Sequence, residues 1–193
     1  MRYRTNWETY NPDLDKVKLD QAILFFLHRV NNSLLGKTKL MKLLYYADFD
    51  HYEEYDQSIT GARYRKLPHG PVPEDAFRAI ERLVEQGRIR CRNVELGEQI
   101  QDRCEPVEPL DLGVFESHEM DTLSRVAERW AGHSTTQIIT ATHGEAPWLA
   151  VRQNEVIPYH LAYYRNNHGE MGLDDDEIGE ADRLPSEDEV LAR

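Results

Sequence analysis

Apolar residues recur with helical spacing along most of the first 150 positions, and the period changes once. Leu19, Ile23, Phe26, Leu27 and Val30 share one face, which predicts a helix begun by Asp13 or Asp15 and broken by Asn31-Asn32-Ser33 and Gly36. Leu40, Leu43, Leu44 and Ala47 fall at i, i+3, i+4 and i+7 of a second helix running from about 37 to 54. Met41, Tyr45 and Tyr52 form an adjacent stripe with Asp48 between the tyrosines, so this helix is apolar over more than half its circumference and is expected to be central. Ile59 to Lys66 reads as a short extended segment. His69-Gly70-Pro71-Val72-Pro73 reads as a rigid turn with Pro73 at the first helical position, followed by Glu74 and Asp75 in the first turn of a third helix. The buried face predicted for that helix is Ala76, Phe77, Ile80, Leu83 and Val84, and Gly87 suits a left-handed cap.

At Arg88 the period drops to two. Arg88, Arg90 and Arg92 alternate with Ile89 and Cys91, Gly97 lies in a turn, and Ile100 to Cys104 is the partner strand. Beyond Pro106 and Pro109 helical spacing returns. Met120, Leu123, Val126, Ala127 and Trp130 stripe one helix with Ser117 as cap and Gly132 as stop, and Ser134 with Gln137 fits a capping box for the next, which ends near Gly144. Pro147, with Trp148, and Pro158, with Leu161, Tyr163 and Tyr164, open two final turns. The expected fold class is α+β and mostly α-helical: a compact helical domain with a small wing-like β-hairpin insertion and a disordered acidic tail.

Charge sharpens the domain limits. From 170 to 193 there are ten acidic side chains against Arg183 and Arg193, a net of −8, whereas the 25 acidic and 21 basic residues before them leave −4 of the total −12. The chain is thus expected to divide into an N-terminal extension (1–15), a folded domain (16–169) and an acidic flexible tail (170–193) too polar to fold alone. Such a balance repels phosphates more than it attracts them, so nucleic acid is not an expected partner. The longest apolar stretch, Ala22 to Leu27, is far too short to span a bilayer, and the N-terminus carries no secretory pattern, so cytoplasmic residence is expected. Cys91 and Cys104 have neither Cys-x-x-Cys nor zinc spacing and read as two buried reduced thiols.

Candidate chemistry is sparse. His118-Glu119 begins like a zincin motif, but Thr122 stands where the second histidine is needed, and His51 diverges from Glu53 and Glu54 on a helix. No metal or cofactor is expected, and a nucleophile elbow, P-loop and dinucleotide fingerprint are all missing. A hydrolase built on His118, His143 and Glu145 is a minor alternative. Arg78, Arg82, Arg88, Arg90 and Arg92 could contact phosphates beside a wing, although Glu81 and Glu85 interleave with them as a solvated face. Tyr45, Tyr46, Tyr52, Tyr55 and Tyr64 are mostly core, with some expected at the surface because so many hydroxyls cannot all find buried partners. Exposed tyrosines suit a protein-binding groove.

The run Lys39-Leu40-Met41-Lys42-Leu43-Leu44-Tyr45-Tyr46-Ala47-Asp48-Phe49 resembles the KLQKLLYYADF signature of the Panacea-domain (SocA-like) antitoxins. Ile59-Thr60-Gly61-Ala62-Arg63-Tyr64 is similar to their ITGATY segment, and His69-Gly70-Pro71-Val72-Pro73 to their YGPVP turn. Thr142-His143 with Ala146-Pro147-Trp148 resembles their THEEPPW region. The resemblance covers roughly 16–152 and implies the antitoxin of a toxin–antitoxin system, often carried on phages, that neutralises a cognate toxin by direct contact. In one type the antitoxin hands its toxin to a Clp-type protease. An autoregulating DNA-binding repressor is the alternative. His69 departs from the family, which often has an aromatic there, and the tail has no counterpart. The family is not defined by catalytic residues. Gly61, Gly70, Pro71, Pro73, His143, Pro147 and Trp148 are expected to fix the scaffold. Lys42, Tyr45, Asp48, Tyr52, Tyr64 and His69 are the candidate partner contacts, and of these Lys42, Tyr45, Asp48 and Tyr64 could equally form a buried network.

Overall fold

The computed structural model describes residues 10–96 and 99–165, apart from the side chains of Leu96 and Gln99. Most of the expected N-terminal extension and the whole of the acidic tail (170–193) therefore lie outside the described residues. Helix α1 (Lys16–Arg29) starts where Asp15 accepts hydrogen bonds from the amides of Val17 and Lys18, both 3.0 Å. Helix α2 (Lys37–Tyr55) buries thirteen of its nineteen residues. It packs against α1, the helices that begin at Ser117 and Thr135, and both sheets, which is the central position its wide apolar surface demands.

The segment after α2 departs from expectation. Strands β1 (Tyr64–Leu67) and β2 (Gly70–Pro73) form a tight hairpin, with Tyr64 opposite Pro73 and Leu67 opposite Gly70. Pro73 is therefore a strand residue, not the first residue of a helix. It is tolerated because β2 is an edge of the sheet, whose order is β2-β1-β5 with β5 at Val156–Ile157. Helix α3 (Ala76–Glu85) begins after Asp75 and ends before Gly87, whose φ of +71° fits the expected left-handed cap. Its buried residues are Ala76, Ala79, Ile80 and Leu83, a narrower stripe than expected. Phe77 and Val84, one step round the helix, are 50 % and 42 % exposed.

Strands β3 (Ile89–Leu96) and β4 (Gln99–Pro106) form the second, two-stranded sheet at the expected place. Cys91 lies directly opposite Cys104, with Cα atoms 4.0 Å apart, and the two are joined by a disulfide. This corrects the expectation of two reduced thiols: the register places both side chains on one face of one hairpin. Cys91 is also only half-buried.

Helix α4 (Ser117–Trp130) is capped by Glu116 in a reciprocal box with Glu119, so Ser117 is its first residue and not its cap. Glu119 also accepts from Lys18 Nζ at 2.7 Å, tying α4 to α1. The box of Ser134 and Gln137 opens α5 (Thr135–His143) as predicted. Helix α6 (Ala146–Leu149) follows, and a 3-10 segment, Tyr159–Tyr164, crosses α2. The described residues are thus mostly helical with small antiparallel sheets, an α+β fold. None of their helices is long and apolar enough to cross a membrane.

Gly61 sits at φ +70°, and a Cβ there would be driven into the Asp13 carbonyl. Gly61→Ala is expected to cost about 2 kcal/mol or more in urea unfolding. Gly132→Ala, with open space around it, should change stability by less than about 0.5 kcal/mol. Equal effects of the two would contradict this packing.

Candidate functional site

The motif residues converge on the face of α2 that meets the β1–β2 hairpin. Asp48 is fully buried, and its carboxylate accepts from the Thr60 amide (2.7 Å), the Thr60 hydroxyl (2.5 Å) and the Tyr64 hydroxyl (2.7 Å). Burial pushes its pKa up, and the three donors oppose that shift. Gly61 follows Thr60 in the left-handed region, which brings the chain back under α2. Tyr159 from the 3-10 segment closes the far side by donating to the Ala62 carbonyl (2.5 Å).

Two turns earlier on α2, Lys42 is fully buried and donates to the Pro71 carbonyl at 3.0 Å. Gly70, at φ +97°, presses against it: a Cβ there would lie 2.5 Å from Lys42 Cε and 2.8 Å from Thr142 Oγ1. Burial lowers the Lys42 pKa to about 7. Lys39, also buried, donates to the His133 carbonyl at 2.6 Å and is lowered by burial to about 8. A buried amine with a carbonyl as its partner keeps a charge at a cost, and both values record that cost.

Tyr45 is buried between α2 and the C-terminal segments, where its hydroxyl donates to Glu145 Oε2 at 2.7 Å. Glu145 pairs with Arg165, whose guanidinium also meets Asp50 at 2.7 Å. Tyr52 is buried in an aromatic cluster with Tyr10, Tyr159 and Tyr163. His143 stacks on Trp148 at 4.2 Å, and Lys66 Nζ lies over the Trp148 ring, 4.5 Å from its centroid. Pro147 stands at the start of α6.

Of the six candidate partner contacts, Lys42, Tyr45, Asp48, Tyr52 and Tyr64 are thus buried, and only His69, in the two-residue β1–β2 turn, is half-exposed. Lys42, Tyr45, Asp48 and Tyr64 all bond inward in this conformation: Asp48 and Tyr64 to each other, Lys42 to Pro71 and Tyr45 to Glu145. Tyr55 is the tyrosine of the second helix that reaches the surface, at 38 % exposure. His118 does not meet His143 and Glu145 as a hydrolase would require. It hydrogen-bonds His51 at 2.9 Å, a pairing across α2 and α4 that the sequence did not signal. Arg82 pairs with Asp20, Arg88 with Glu108 and Arg92 with Glu105, so three of the five arginines of the supposed phosphate patch are already engaged.

Two predictions follow from the buried ions. Asp48→Asn leaves a single acceptor facing three donors and adds an amide among them, and is expected to cost about 2–4 kcal/mol by chemical unfolding. An unchanged midpoint would contradict the network. Lys42 binds a proton more weakly folded than unfolded, so from about pH 7 to its ordinary value of 10.5 the unfolded state holds more protons and stability rises with pH. Lys39 adds the same sign from about pH 8. Lys42→Met should flatten the rise between pH 7 and 8, and a slope unaltered by the substitution would argue against a depressed Lys42.

A family model for the SocA-like antitoxin, Panacea domain, matches residues 40–149, which spans α2 to α6 and more than half of the chain. No curated protein and no solved structure matches it. The matched span holds Lys42, Asp48, Tyr64, Gly70 and Glu145, which take part in the inward-facing contacts described above. The chain belongs to the SocA-like antitoxin family that is defined by the Panacea domain.

Proposed function

We propose that this protein is the antitoxin of a toxin–antitoxin pair and neutralises its cognate toxin by direct protein–protein contact. The family match over 40–149 carries this reading. The geometry supports it in a specific way. Lys42 and Asp48 have no exposed surface, so the motif serves as scaffold and no substrate reaches those groups in this conformation. Contact with a toxin then falls to exposed positions, which in the motif include Arg63 and the half-exposed His69 turn. Phe77 and Val84, exposed at i and i+7 on α3, supply apolar area of the kind interfaces use.

The test is co-expression with the product of the adjacent gene. Growth arrest by that product alone, rescue by this chain and co-purification of the two are the expected results. A harmless neighbour that never associates with this chain would sink the reading. Direct neutralisation further predicts that the toxin's level holds steady in rescued cells. A fall that depends on a Clp-type protease would replace simple binding by delivery to that protease. Phe77→Asp with Val84→Asp should weaken the complex by about tenfold or more if α3 takes part, while leaving the unfolding midpoint nearly unchanged. Undiminished binding would remove α3 from the interface.

A further inference from the structure

The side chain of Arg165 enters a pocket walled by α2 and the residue just before α6. Its Nη1 lies 2.7 Å from Asp50 Oδ1 and 3.6 Å from Glu53 Oε2, and its Nη2 lies 3.1 Å from Glu145 Oε1. The guanidinium stands over the Tyr46 ring at 5.3 Å and the Tyr45 ring at 5.8 Å, and the side chain is 6 % exposed. Planar cation, carboxylates at its edge and aromatic faces beneath it make the set of contacts that selects a guanidinium over an ammonium. Arg129 takes the other Asp50 oxygen at 3.2 Å, so the three carboxylates face two arginines and the pocket keeps one unit of negative charge.

The match between pocket and occupant is incomplete. Arg165 Nε and Nη1 are both buried without a well-aligned hydrogen bond among the described residues, so Nη1 meets Asp50 and Glu53 as ion pairs alone. Every wall residue (Tyr45, Tyr46, Asp50, Glu53 and Glu145) lies within the family-matched span, whereas Arg165 follows it, at the end of the 3-10 segment that straps α2.

We propose that this pocket is a guanidinium-binding site, filled in cis by Arg165 and open to an arginine side chain of a protein partner when the end of the strap, 163–165, swings out while Tyr159 and Ala162 stay in the core. The partner's arginine would enter from solvent with its fork facing Asp50 and Glu145, and could hydrogen-bond Glu53, which Arg165 meets only as an ion pair at 3.6 Å. The partner half of this inference rests on the antitoxin reading; the guanidinium half does not.

The first experiment therefore uses a small probe on the full chain. Arg165→Ala should melt below the wild type, and methylguanidinium at about 10 mM should raise its midpoint by about 3–5 °C for a millimolar site. Methylammonium should not do so, wild type should not respond, and Asp50→Asn in the Arg165→Ala background should abolish the gain. Equal responses to the two cations, or a response from wild type as large as from Arg165→Ala, overturns the site. The second experiment measures affinity for the toxin once the pair is in hand, using Arg165→Gln, which retains a polar group in the pocket should the alanine variant be too unstable to purify. Use of the pocket in trans predicts that removing the Arg165 guanidinium tightens the complex by about tenfold, since the partner no longer displaces it. Unchanged or weaker affinity, with toxin still bound, overturns the partner role and leaves the antitoxin reading standing.

Discussion

The carboxylate of Asp48 holds the structure together at the point where the chain turns back on its central helix. It receives the amide and hydroxyl of Thr60 and the hydroxyl of Tyr64, and so fixes both ends of the short segment that leads from α2 into the β1–β2 hairpin. The position of that hairpin in turn decides where Pro71 presents its carbonyl to Lys42, and where β5 and the 3-10 segment close over the same face. An ion buried without partners costs several kcal/mol, so a carboxylate here is tolerable only with its donors in place. Each donor therefore offsets part of that cost, and the ordered motif from Lys39 to Pro73 supplies both the carboxylate and its donors.

The two buried lysines show the opposite balance. Among the described residues Lys42 and Lys39 face carbonyl oxygens and no carboxylate, and burial lowers both pKa values. An apolar residue of similar length would remove that penalty. What the amines contribute is direction: Lys42 fixes Pro71, and Lys39 fixes the loop between α4 and α5 through the Ala131 and His133 carbonyls. Scaffold geometry, and not maximal stability, accounts for charged side chains inside α2.

Much of this was legible in the sequence, for local reasons. Helix α2 followed from i, i+3, i+4 and i+7 spacing, and the caps at Asp15 and Ser134 from side chains that satisfy amides within three residues. What escaped depends on distant partners. The tyrosine hydroxyls were expected to exceed the acceptors available, yet Tyr45 finds Glu145 a hundred positions away and Tyr159 finds the Ala62 carbonyl. Pro73 looked like a helix start because nothing local reveals the strand opposite it. The cysteines are the exception, since a signal existed: Cys91 and Cys104 are nearly equidistant from the hairpin turn, so the predicted strands already placed them face to face. Phe77 was drawn into the core by periodicity alone, but α3 leans on α1 and β3 through the Ala76–Ala79–Ile80–Leu83 stripe and leaves it outside.

Amide hydrogen exchange at Thr60 tests the central claim most directly, because that N–H sits in a loop by position but donates to a buried carboxylate. If Asp48 organises the domain, the Thr60 amide is expected to exchange as slowly as the interior amides of α2, through global unfolding alone. Exchange at the rate of an open loop, with the α2 amides still protected, would contradict it.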